Sequence, residues 1–508
     1  MDYFLICGDF NLVVDPNLDS YNYKSVNNPH SRRLLLSSIS NCNWKDIFRE
    51  LHPNTKRYTW RRKKPLKQAR LDYLFAPSAF LDNVNTCIIR PGYRSDHSFL
   101  ELTIATSHFI KGRGTWKFNC SLLKNKDYLI KVNNLIASEK LFYAARVYNP
   151  ININRIPDEN LQFTIDDCLF LENLLAKIRG ETIRFSSRLK KEKSQRALNL
   201  EKEIETLEND LDEDKFEILT QKKDELQKLR KDELEGLKIR TRAVWLMEGE
   251  KPSKYLSSLE TQTYIDKTIR KLVSADGSIL TEQKAILDEV RAFYTNLFQK
   301  QPQKNCLHLL NDFETNKHFK KLSDQQSNSL EHGITLSELS NALKNMKNGK
   351  TPGIDGFPAE FFKVFWGQLK HFVHRSASLA YEKGIMSFSF RHCIISCIPK
   401  GNKDRTLLKN WRPISLLSVP YKMLSTVVAS RIKSVLNLII SPTQTGFLPG
   451  RFIGENTRLI YDLLHFTQKE NIPGLLVLID FQKAFDSVSW EFLMDVLKMY
   501  NFGPNICR

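Results

Sequence analysis

Leu475-Leu476-Val477-Leu478-Ile479 runs into Asp480 and on through Phe481-Gln482-Lys483-Ala484-Phe485-Asp486. Five bulky apolar residues without a break read as a strand buried on both faces. An Asp at the exit of such a strand is held rigidly at the edge of the core. A carboxylate there suits Mg²⁺, which takes hard oxygen ligands, and joining a 3′-hydroxyl to a nucleoside triphosphate requires two such ions. The same residues also read as a strand followed by a helix capped by Asp486 or Ser487. Taken alone, the segment does not separate the two readings.

The upstream sequence does. Ile398-Pro399-Lys400-Gly401, Asn410-Trp411-Arg412-Pro413-Ile414-Ser415 and Gln444-Thr445-Gly446-Phe447 precede it in that order. With Asp480 to Asp486 they resemble the first half of the reverse transcriptase domain of LINE-type (non-LTR) retrotransposons. Gly349-Lys350-Thr351-Pro352-Gly353-Ile354-Asp355-Gly356, with Pro358, Glu360 and Phe361, resembles the opening of that domain. The resemblance implies that Asp480 binds metal ions, with the Phe481 carbonyl as a further ligand. It places Lys400 and Arg412 at triphosphate or template, where fixed cations neutralise phosphate oxygens. Gln444, Gly446 and Phe447 fall at the template, and the Phe485 ring falls against the 2′ side of the sugar. Read from sequence alone, Phe485 is equally a core aromatic at the start of a helix.

Composition fits a nucleic-acid partner. Lys and Arg number 76 against 57 Asp and Glu, a formal charge of +19, which draws polyanions and says nothing of fold. Nine cysteines without paired C-x-x-C spacing suggest reduced thiols in an intracellular protein of nucleus and cytoplasm. No apolar run reaches membrane-spanning length. Apolar residues make up 41% of the chain, which suits globular segments, and 508 residues predict two or three domains.

The first segment, 1–108, carries a second set of motifs. Phe4-Leu5-Ile6-Cys7 reads as a short buried strand ending in Gly8-Asp9-Phe10-Asn11. Tyr58-Thr59-Trp60, Arg70-Leu71-Asp72-Tyr73 and Ser95-Asp96-His97 follow, and then an alternating, half-buried strand from Phe99 to Ile104. Hydrolysing a phosphodiester needs a base to aim water, donors on the phosphate, and a cation to absorb charge. Asp, Asn and an Asp-His pair at strand ends supply much of that. Each motif alone also reads as a turn or a cap. Their order resembles the later half of the apurinic-type endonuclease that LINE elements carry before their polymerase. The resemblance implies that Asp9 orients or deprotonates water and Asn11 contacts phosphate. His97 would steady negative charge, with Asp72 orienting its ring and Asp96 near the metal.

Between Lys56 and Arg70 lie eight basic residues and no acids. Arg57, Trp60, Arg61, Arg62, Lys63 and Lys64 within it are candidates for DNA contact. A solvated loop or an import signal reads equally from the residues.

Segment 109–260 shows Ile204, Leu207 and Leu211, then Leu219, Leu226 and Leu229, at helical spacing among Glu and Lys. Asp212-Glu213-Asp214-Lys215 interrupts them, which predicts an antiparallel coiled-coil hairpin acting as a linker. Self-association through its apolar seam is an alternative use. Segment 261–508 is the polymerase-like part, with its motif-bearing core at 349–508.

The expected fold class is therefore multidomain α+β. It comprises a partial α/β sandwich of the endonuclease/exonuclease/phosphatase kind, a helical linker, and partial fingers and palm of a reverse transcriptase. The implied partners are an RNA template, a DNA target and deoxynucleoside triphosphates, with Mg²⁺ (Mn²⁺ as the alternative) as cofactor. Family members carry a nuclease Glu before Gly8-Asp9 and an Asp-Asp hairpin after Asp486, and neither falls within this sequence. Both activities are therefore expected to be low here. The alternative is a catalytically inactive, nucleic-acid-binding remnant. A group II intron maturase lacks the nuclease-like block, and a stand-alone repair phosphodiesterase leaves residues 349–486 unexplained.

Overall fold

A computed structural model describes residues 5–25, 27–92, 95–105, 114–145, 157–212, 214–241, 268–274, 276–299, 319–481 and 483–507. Phe4, Glu213 and Gln482, on which parts of the sequence reading rest, lie outside these residues. Two compact units divide the chain: Met1–Arg113 with Ser186–Asp266, and Gly114–Phe185 with Lys267–Arg508. The stretch read from sequence as 109–260 is thus shared between them, parting at Ser186.

The first unit is built on antiparallel pairs. β1 (Ile6–Asp9), β2 (Ser20–Tyr21), β3 (Trp44–Asp46), β4 (Trp60–Arg62), β5 (Lys67–Ala69), β6 (Asp72–Pro77), β7 (Val84–Arg90) and β8 (Phe99–Ile104) form three sheets. Their orders are β1-β6-β3, β2-β5-β4 and β7-β8. Leu74 and Ala76 alternate inward from β6 and meet Cys87 and Ile89 of β7, with Ile47 and Phe48 from helix α1 (Ile47–Leu51) closing the core. Beside this core lies a buried charge cluster. Arg70 donates to both oxygens of Asp19 at 2.8 and 2.9 Å and to Asp46 at 2.6 Å. Arg49 also reaches Asp19. β1 was expected to be buried, yet every residue of it is exposed. Among the described residues it pairs only with β6, so its outer edge has no neighbour to cover it.

Two long helices, α2 (Asp167–Asn209) and α3 (Lys215–Thr241), follow in sequence. Leu200, Ile204, Leu211, Leu219 and Leu226 share one apolar cluster with Leu66. Ion pairs Glu201–Arg230, Glu203–Lys222 and Asp210–Lys215 join residues in opposite chain order, so the two helices run antiparallel. The apolar seam that offered self-association is occupied within this hairpin.

In the second unit, helices pack around aromatic side chains. They are α4 (Gln283–Phe298), α5 (Leu336–Asn345), α6 (Trp366–Lys383), α7 (Val419–Ile439), α8 (Gly454–Lys469) and α9 (Trp490–Met499). Thr335 and Glu338 form a capping box that starts α5, whose Leu339 and Leu343 are buried. The Gly-rich segment is a packing turn. A Cβ on Gly353 would fall 2.4 Å from the Ser418 nitrogen, and one on Gly356 (φ +82°) would fall 2.3 Å from the Trp116 ring. Trp116, Phe118, Phe357 and Phe361 stack around it.

β9 (Leu272–Val273) and β10 (Ile279–Leu280) form a small ribbon. β11 (Ile394–Pro399) and β12 (Trp411–Leu416) form a hairpin in which Ile398 faces Arg412. This hairpin packs on α4 through Trp411, Cys397, Ile286 and Phe293.

The segment read as a buried strand is not one. Leu475 to Ile479 have no strand assignment, and Leu475 is 88% exposed. A strand buried on both faces needs a ladder partner and two covering layers, and no described strand pairs with it. The helix after it begins at Trp490 with Ser489 as its cap, not Asp486 or Ser487.

Candidate functional sites

In the first unit the strand register assembles the nuclease-like residues. Asp9 at the end of β1 lies directly opposite Asp72 at the start of β6. Asp72 Oδ2 is 2.8 Å from His97 Nδ1. With a carboxylate at Nδ1, the ring carries its proton there and presents Nε2 outward. Asp72 is held in turn by Thr59, whose hydroxyl accepts from the backbone N–H groups of Leu71 (2.9 Å) and Asp72 (3.2 Å). Asn11 adopts φ +53° and donates its backbone N–H to Asp9 at 2.9 Å. Asn27 and Asn28 bond the Asn11 carbonyl and fix that turn.

Asp96 and Trp60 differ from expectation. The Trp60 indole N–H donates to Asp96 Oδ2 at 2.9 Å, so this aromatic positions a carboxylate within the site. Trp60 also bridges His97 through the backbone. Thr59 stood in the sequence within Tyr58-Thr59-Trp60 but had no role assigned to it.

The basic stretch is only partly available to DNA. Arg57 is buried and donates to Asn209 and the Ile89 carbonyl. Arg61 is buried between Ser98 and Glu208. Lys63 pairs with Glu217 at 3.0 Å. Arg62 and Lys64 are exposed. The acidic face of the helical hairpin thus takes the contacts that sequence assigned to phosphate, because it lies closer than solvent. Arg57 and Arg61 are structural in this arrangement.

In the second unit, Lys400 follows β11 and its N–H meets the Asn410 carbonyl at 2.8 Å. Its Nζ donates to the Lys409 carbonyl at 2.7 Å. Arg412 is exposed on β12. Gln444 donates to the Gly446 carbonyl at 3.2 Å, and Phe447 (φ +64°) is 90% exposed. The Phe447 and Phe485 rings meet edge to face at 6.0 Å. Lys483 lies 4.6 Å over the Phe293 ring, while Tyr294 bonds Cys397 of β11. Burial, then Cys397 and the charge of Asp486, push the Tyr294 hydroxyl upward. The turn after Asp480 therefore lies against α4, which also carries the β11–β12 hairpin.

Asp480 and Phe481 are exposed. Among the described residues no three His, Cys, Asp or Glu side chains gather as a metal site. Asp480 offers one carboxylate, and the nuclease-like carboxylates are engaged with His97, Trp60 and the Asn11 backbone. These donors do not complete a divalent-ion site. No described helix is long and apolar enough to cross a membrane.

Comparison with known proteins gives this geometry its setting. Residues 398–508 match the reverse transcriptase (RNA-dependent DNA polymerase) family. Over 98% of its length the chain is 30% identical to the transposon TX1 149 kDa protein of Xenopus laevis, covering 37% of that protein. Over 31% of its length it is 23% identical to the retrovirus-related Pol polyprotein of type-1 element R1 from Bradysia coprophila, covering 16% of it. Over 18% of its length it is 33% identical to the Pol polyprotein of type-2 element R2DM from Drosophila melanogaster, covering 8% of it. The chain spans little more than a third of the longest-matching relative. These relatives are proteins of non-LTR retrotransposons, and the match over residues 398–508 is to the reverse transcriptase family.

Proposed function

We propose, from those similarities, that the chain serves RNA-directed DNA synthesis primed at a nicked DNA target. Its second unit would hold the primed RNA template and the incoming deoxynucleotide. Lys400 and Arg412 stand diagonally across the hairpin, roughly 7–8 Å apart, because Arg412 pairs with Ile398, and paired cations there suit phosphate oxygens. Phe447 and Phe485 offer exposed aromatic faces for base and sugar. Their ring contact, which joins two distant motifs beside the turn after Asp480, is the observation that carries this reading.

In the first unit, the Asp72–His97 pair suits a scissile phosphate. Held at Nδ1 by Asp72, the His97 ring as imidazolium would donate its Nε2–H to a phosphate oxygen and stabilise the charge that develops there, with the Asp72 carboxylate balancing the ring. Asp9, one strand away, would aim the water, and the turn at Asn11 would present its amide to the phosphate. Arg62 and Lys64 would contact the DNA backbone. Reverse transcriptases work with divalent ions. Asp480 and Asp96 are the proposed ligands, for Mg²⁺ with Mn²⁺ as the alternative. Neither is a complete site here, so the steps above are those of the side chains alone.

Photo-crosslinking tests the polymerase reading. A primed RNA template carrying 5-iodouridine should crosslink to peptides containing Gln444–Phe447 and Phe485. Crosslinks confined to residues 1–113 would reject it.

A further inference from the structure

On the face of β4 opposite Trp60 there is a cavity of about 260 Å³. Trp60 and Arg61 alternate along the strand, so their side chains leave on opposite faces. The cavity is lined by Tyr21, Tyr58, Arg61, Gln68, Glu208 and Asn209 among others. Three of these form a row, since Gln68 on β5 pairs directly with Arg61 on β4 and with Tyr21 on β2. Directly opposed residues of antiparallel strands share a face about 5 Å apart.

Two members of the row are buried with hydrogen-bonding capacity left over. Gln68 is 5% exposed and its Oε1 has no partner, while Arg61 is 4% exposed and its Nε has none. A buried polar atom left without a partner costs roughly 1–3 kcal/mol, so an unmatched acceptor and an unmatched donor on neighbouring side chains of one row mark a place for a complementary group. Tyr21, half exposed, stands at the end of the row with an aromatic face.

The chemistry selects a neutral, planar group. Glu208 lies 3.1 Å from Arg61 and 3.8 Å from Arg57, and its side chain is fully buried. Glu205 lies 3.3 Å from Arg57 as well, so two carboxylates face the two guanidinium groups, and an entering phosphate would face Glu208. A nucleobase edge carries an acceptor for Arg61 Nε–H and a donor for Gln68 Oε1. Its ring can lie on Tyr21, as bases do on aromatic platforms. Lys56, which is exposed and lines the cavity, draws the sugar-phosphate chain.

We infer that the Tyr21–Gln68–Arg61 row is a binding site for a single unstacked nucleobase, separate from the Asp72–His97 pair. It stands whether or not that pair cleaves DNA. A free nucleotide and an unstacked base within a strand share this chemistry, and the test separates them.

The test titrates the whole chain with adenosine, guanosine, cytidine and uridine 5′-monophosphates, with ribose 5-phosphate as the base-free control. Single-stranded and duplex DNA of one sequence follow. At least one monophosphate should saturate while ribose 5-phosphate does not, or single strand should bind more tightly than duplex where a strand is required. Gln68→Leu should weaken that binding about tenfold. Tyr21→Ala, at an exposed position that leaves the melting temperature unchanged, should weaken it several-fold. Equal binding of ribose 5-phosphate would overturn the proposal. So would the absence of base-dependent binding by every ligand up to about 10 mM, or unchanged affinity in both variants.

Discussion

Asp355 shows how one side chain can report on the second unit. Burial pushes its carboxyl up to about 7, with the charge of Glu172 adding, against the N–H groups of Phe357 and Gly356 and the charge of Lys422. Its Oδ2 is buried without a hydrogen-bond partner. The folded state therefore keeps a proton that the unfolded chain releases near 3.8. Stability should fall as pH rises from about 4 to about 7 and level off above that. Asp355→Asn keeps an acceptor for the two N–H groups and removes the ionisation. At pH 8 it should be more stable than the parent by roughly 2–4 kcal/mol, measured by urea unfolding. A variant equal to the parent at pH 8 would sink this account.

Glu338 has the opposite sign. Burial works to raise its pKa, but the Arg431 guanidinium and the Thr335 backbone and hydroxyl donors outweigh that and hold it at about 2. That contribution is present above 4.5 and is lost as pH falls towards 2. Glu338→Gln should flatten the acid limb of a melting-temperature profile. Arg431 holds both Glu338 oxygens at 2.8 Å and also the Leu330, His332 and Gly333 carbonyls. Arg431→Met strips this arrangement and should cost about 3–5 kcal/mol, read from denaturant melts.

At the scale of elements, the contact of the helical hairpin with the basic stretch centres on a buried carboxylate. Glu208 is buried among Arg57, Arg61 and Lys223. Glu208→Ala leaves three cations facing one another and should cost about 3–5 kcal/mol. Hydrogen exchange should then rise across 196–230. Protection unchanged there would show that the apolar cluster alone holds the hairpin.

Legibility followed local information. The antiparallel hairpin was readable because its leucine spacing and the break at Asp212 are both local signals. β8 was readable for the same reason. The run at Leu475 misled because five apolar residues describe what a segment prefers to bury, while its cover depends on partners that spacing does not encode. The Asp9–Asp72–His97 cluster could be named as residues, but its assembly needed the β1–β6 register. The fates of Arg57 and Arg61 were invisible, since Glu208 lies far along the chain from both.

For the whole molecule, two units with separate cores should unfold in two calorimetric transitions. Glu208→Ala should lower one and Arg431→Met the other, because each residue belongs to a different unit. Movement of both transitions by either change would contradict this division.

The most direct measurement is binding of a primed RNA template by the whole chain across a salt series. Affinity should fall steeply with salt. In the Lys400→Ala/Arg412→Ala variant the log–log slope should be shallower by about 2, one phosphate contact for each cation removed. A variant that binds as tightly as the parent, with the same slope, would mean that the β11–β12 hairpin does not face nucleic acid.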